Sequence, residues 1–168
     1  MEFSQSIESI FRTKNGFALF VLCLIALESL TTIVFFICPC ILGETNCNVQ
    51  YFKESYSLFA IFFASVIVGP LLETFLFQFV ILKPYIFYFK ERTINTDLIV
   101  ISISAFIFGI GHYYNVLTII HAFFSGLILG SIYLFQQEKR NKPFFFTFLL
   151  HSLFNLIAFV IDDVMHWA

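Results

Sequence analysis

Charge is scarce in this chain. Only 12% of its 168 residues are Asp, Glu, Lys or Arg, while 60% are hydrophobic. A water-facing domain carries about 25% charged residues. With 26 Phe to hide, one small aqueous core is excluded. The composition predicts an all-α polytopic membrane protein, with residues 1–168 forming a single membrane domain. A net charge of −2 gives no electrostatic case for nucleic-acid binding. The four cysteines (Cys23, Cys38, Cys40, Cys47) form no CxxC and no paired metal spacing. Free or buried thiols are expected, with a disulfide among Cys38, Cys40 and Cys47 as the alternative. There is no linker, repeat or low-complexity tract, no HExxH zinc signature and no evident Ser or Cys nucleophile motif.

What is present is a series of five apolar segments, near 17–42, 56–82, 98–114, 116–135 and 144–161. A helical span needs roughly 20 residues, with about 17 to 25 tolerated. The second can run on to Phe89. The first is too long for a signal peptide and lacks a clean cleavage site, so it reads as an anchor, with residues 1–16 along the surface. Arg12, Lys14, Lys83, Lys90, Arg92, Lys139, Arg140 and Lys142 fall on one side. Lys53, Glu44, Glu54, Asp162 and Asp163 fall on the other. The positive-inside rule then places the N-terminus in the cytoplasm and the C-terminus outside. Ala122, Gly126 and Gly130, and likewise Ala105 and Gly109, recur every four residues and mark faces where helices approach closely. Pro143 reads as the start of the fifth helix.

Within these spans only Glu28 and Glu73 carry formal charge. A carboxylate at mid-membrane costs at least about 2.5 kcal/mol, so it must face other helices or water. Pro70 precedes Glu73 and releases the carbonyl of Val66 from its helical bond. That suits a water-holding site, or equally a kinked helix with a protonated Glu. Glu28 is expected to be protonated against Ser29, Thr32 or His121. His112 ends a glycine-flanked stretch, and His121 lies beside the small-residue face. His151 and Asn155 are four apart, on one helical face. Depth counting lets Glu73, His112 and His151 meet near the middle or in the outer half of the bilayer. A carboxylate shielded from bulk water can act as a general base. Imidazole can hold the attacking water or share a metal, and a His/Asn pair can stabilise an oxyanion. Together these parts describe peptide-bond hydrolysis by activated water.

Three motifs, in order, carry a resemblance. Glu73-Thr74 with Gln78 stands where an EExxxR pattern would. Phe108 and His112 match FxxxH, and His151 and Asn155 match HxxxN. Over about residues 59–159 the chain resembles the CPBP (CAAX protease and bacteriocin-processing, or Abi) intramembrane proteases, which include the type II CAAX prenyl endopeptidases. The resemblance implies that Glu73 and His112 activate water and that His151 and Asn155 stabilise the oxyanion. It also implies a lipidated or membrane-embedded peptide as substrate. The Phe/Ile-rich makeup and short length, for their part, suggest a prokaryotic cytoplasmic membrane. The family is called metalloprotease, and Glu73, His112 and His151 could hold zinc; an obligatory metal is disfavoured. The departure is Thr74 and Gln78, where the pattern has Glu and Arg. Four residues apart, they are expected to form a neutral hydrogen-bonded brace, with Phe108 also in support. The departure also favours a second reading, a non-catalytic membrane protein that binds a peptide or gives bacteriocin immunity. A third is a proton carrier using Glu28 and Glu73.

Overall fold

The computed structural model describes residues 16–34, 56–89, 91–113, 116–139 and 142–164. Among these, five helices form a bundle. Helix α1 is Gly16–Thr32. Helix α2 runs Leu58–Tyr88, α3 Ile94–Gly111 and α4 Val116–Glu138, and these three are long and apolar enough to cross a membrane. Helix α5 is Pro143–Phe159, continued by a π-turn over Val160–Val164. The surface segment 1–16 lies outside the described residues but for Gly16. So do the later part of the first span, Cys38, Cys40 and Cys47, and several of the charges used for orientation. Cys23 is a free thiol.

The helix ends follow local chemistry. Helix α2 continues past Leu82 to Tyr88, with Phe89 as its C-cap in extended backbone. Helix α3 begins before its apolar run because Thr93 and Thr96 form a reciprocal capping box. Helix α5 starts at Pro143, where a missing N–H costs nothing. The short connection at 89–93 makes α2 and α3 antiparallel, and that at 139–142 does the same for α4 and α5. At this end Arg92 grips Asp97 with two bonds of 3.0 Å and reaches Glu138 at 3.1 Å. The hydrogen bonds it donates to Asp97 push the pKa of the Arg92 guanidinium above its ordinary value. The Tyr85 hydroxyl donates to Asp97 at 2.7 Å. Three helix ends are thereby clamped together.

The longest helix is not a uniform α-helix. Phe63–Val68 and Thr74–Phe79 are π-helical, separated by the α-turn Gly69–Glu73. A π-turn closes through i→i+5 bonds and takes in more residues than the 3.6 of an α-turn. An α-helix would carry a row of every fourth residue round by about 40° per step. The wider turns cancel this drift. Val66, Pro70, Thr74, Gln78 and Leu82 therefore stay buried on one inward row. Leu71, Leu72, Phe75 and Leu76 are exposed on the outer face, where lipid tails belong.

Helix α4 is the central element, with Leu129, Ile132 and Tyr133 buried. The expected small-residue contact between α3 and α4 is made. A Cβ on Gly126 would stand 2.9 Å from the Cα of Ala105 and 3.0 Å from the Phe108 ring. One on Gly109 would stand 3.1 Å from the carbonyl oxygen of Ile119. Gly126→Ala should therefore push α3 off α4. The expected loss is about 1–3 kcal/mol, read as a lower thermal midpoint in detergent. A midpoint equal to wild type would show that the contact yields freely.

Candidate active site

Glu73 sits at the centre of α2, between the two π-segments. Its Oε2 lies 3.4 Å from His151 Nε2 and 3.9 Å from His112 Nε2. Three helices thus bring the acid and two imidazoles to one place. An ideal Cβ on Gly69, one turn earlier, would lie 3.7 Å from the other carboxylate oxygen. His112 caps α3, and its Nδ1 donates to the Phe108 carbonyl at 2.8 Å. In the neutral ring Nε2 is then a bare acceptor aimed at the site. The Phe108 ring meets His112 and His151 edge-on, at 4.5 and 5.9 Å between centroids. Phe108 therefore supports both rings.

The carbonyl freed by Pro70 does not open onto water. Ser152 Oγ donates to the Val66 carbonyl at 2.6 Å, and Asn155 Nδ2 donates to that of Ser65 at 2.8 Å. In hydrocarbon a bare carbonyl is expensive, and α5 supplies the missing donors to the first π-segment. Asn155 still lines the cavity, but one amide proton is committed to tying α5 to α2. Ser152 went unnoticed in the sequence. Its signal was its place between His151 and Asn155.

Thr74 and Gln78 are both fully buried, and the expected hydrogen bond between them is not made. Thr74 Oγ1 and both amide atoms of Gln78 have no hydrogen-bond partner among the described residues. The expectation for Glu28 also changes. His121 Nε2 pairs instead with Thr31 Oγ1 at 3.0 Å. Thr31 spends its own proton on the Leu27 carbonyl, so the imidazole donates. Thr32 bonds the backbone carbonyl of Glu28 rather than its carboxylate. The Glu28 Oε1 atom has no partner among the described residues.

A cavity of about 180 Å³ joins these groups, lined by Glu73, His112, His121, Ser125, His151 and Asn155 among others. Helix α1 closes it through Leu27, which is fully buried. This space takes a few waters at roughly 30 Å³ each. Two imidazoles and a carboxylate are a zinc-like donor set. Among the described residues no group of three His, Cys, Asp or Glu side chains is already set at metal-holding geometry. Glu73, His112 and His151 are the residues that would hold such an ion, and the step below runs on water alone.

A bundle of apolar helices with an ionisable cluster turned inward defines an integral membrane protein with an internal polar site. A profile of the type II CAAX prenyl endopeptidase Rce1-like family matches residues 55–157, more than half of the chain, and the chain belongs to that family. The family is one of CAAX-type intramembrane proteases. The match covers Glu73, His112, His151 and Asn155, and leaves α1 outside. Comparison with curated proteins, and separately with solved structures, gave no significant match.

Proposed function

We propose that this chain is an intramembrane endopeptidase that hydrolyses a peptide bond of a lipidated or membrane-embedded peptide. The observation that carries the reading is the approach of both imidazole Nε2 atoms to one oxygen of Glu73, within 3.9 Å. Water between Glu73 and His112 gives one proton to the carboxylate and the other as a hydrogen bond to the bare Nε2 of His112. Its oxygen attacks the peptide carbonyl. The N–H of His151 Nε2 and the second amide proton of Asn155 meet the developing oxyanion. The tetrahedral centre collapses as Glu73 returns its proton to the leaving amine. An orientation with the Arg92 end on the cytoplasmic side fits the distribution of basic residues.

The direct test is reconstitution in liposomes with lipidated and unlipidated membrane peptides, products being identified by mass spectrometry. Wild type should cut within or beside the hydrophobic segment. If no peptide is cut but one is retained, the second reading applies, a binding or immunity protein on the same scaffold. That reading draws on the neutral Thr74 and Gln78 in place of a charged pair. The water-based step also predicts that dialysis against a zinc chelator leaves the cleavage rate unchanged. Loss of cleavage, restored by zinc alone, would overturn the metal-free step.

A further inference from the structure

Buried polar groups that nothing satisfies are strongly disfavoured. Apart from Glu28 Oε1 on α1, those among the described residues fall on α2, α4 and α5, the helices that carry Glu73, Ser125 and His151 to the cavity. Thr74 Oγ1, the amide of Gln78, Ser125 Oγ, Thr147 Oγ1 and His151 Nδ1 all lack a hydrogen-bond partner among the described residues. Thr74, Gln78 and Thr147 are fully buried, and Ser125 and His151 nearly so. Thr74 and Gln78 follow each other on the inward row of α2. Thr147 and His151 are likewise one turn apart on α5. The second π-segment packs against both α5 and α4. Ser125 and His151 line the cavity itself. From there Gln78 and Thr147 extend the polar layer towards the Arg92 end of the bundle. On the far side, Ser152 and Asn155 are satisfied by backbone carbonyls.

We propose that this layer is a binding site for buried water that supplies the hydrolytic site from the Arg92 side. The inference rests on the endopeptidase reading for its role, but not for the site. Buried hydroxyl and amide groups of mixed donor and acceptor character, beside a cavity that Ser125 and His151 line, match the chemistry of water. Water donating to His151 Nδ1 leaves the ring proton on Nε2, where the oxyanion requires it. Thr74, Gln78 and Thr147 are then positioning residues. They touch water and not substrate.

Thr147 provides the test, because Val has its shape without its hydroxyl and Ser has its hydroxyl without its methyl. If water bridges the layer, Thr147→Val lowers the thermal midpoint, and Thr147→Ser stays nearer to wild type. With cleavage as readout, Thr147→Val lowers kcat about tenfold at unchanged KM, the size of one lost water-mediated bond, and Ser restores it. If the layer is dry, Val removes an unsatisfied hydroxyl. The midpoint then rises or holds while Ser gains nothing, and the proposal is overturned. A Val-specific loss of stability in a protein that cleaves no peptide would uphold the water site and reject the endopeptidase reading. A dry layer in an active protein would do the reverse.

Discussion

The Glu73→Gln protein inserts, folds and retains its peptide, but cleaves it roughly a thousandfold more slowly than wild type. Glutamine keeps the shape of the side chain and an oxygen for the nearby imidazoles. What it cannot do is take a proton from water. The fall should therefore lie in kcat, with KM little changed, since the carboxylate is asked to act only as bonds reorganise. The thermal midpoint should hold, because a charge is removed from among apolar helices and no partner is left ionised against it. Glu28→Gln is the natural control. Glu28 lies on α1, which contributes Leu27 to the cavity wall. It should cleave at the wild-type rate. Inverted results for the two variants would move the chemistry to the other carboxylate.

The polar residues that meet here could be found in the sequence because each violates a membrane rule. Glu73, His112 and His151 are ionisable groups in hydrocarbon, and counting residues from the span ends placed them at compatible depths. The Gly126 contact was readable for a similar reason, since a repeat of small residues has few other uses between helices. What could not be read were the π-segments of α2. At the first of them α5 offers Asn155 to the Ser65 carbonyl, which a regular helix would have kept for itself, and Ser152 to the Val66 carbonyl that Pro70 frees. These bonds join residues 86 and 90 positions apart, and beyond Pro70 nothing local announces them. The Thr31–His121 bond and the clamp of Tyr85, Arg92, Asp97 and Glu138 were missed for the same reason. In each, one partner looks ordinary until the fold supplies the other. The supposed brace between Thr74 and Gln78 shows the converse error. Spacing put the two on one face but did not make them bond.

Gln78→Arg alone should be among the most damaging single changes in the protein. Gln78 is fully buried on the inward row of α2, beside the apolar Leu82. An uncompensated guanidinium there costs about 3–5 kcal/mol, a large share of the roughly 5–15 kcal/mol by which an ordinary domain is stable. Expression in the membrane should collapse, or the thermal midpoint fall steeply. Thr74→Glu on its own should be milder, because a carboxyl group can bury itself protonated, as an isolated cation on Arg cannot. Combining the two places opposite charges four residues apart on one row. The double variant should recover much of the loss, with a coupling of about 0.5–3 kcal/mol in a double-mutant cycle. Additive losses would mean that positions 74 and 78 do not meet across the turn. The two changes also separate stability from chemistry. The restored pair would fill the buried layer next to Glu73 with side chains that bond each other rather than water. If that layer feeds the reaction, the double variant regains its fold without regaining the full cleavage rate. If it regains both, the neutral pair has no part in catalysis, and its two residues matter only to how α2 is held.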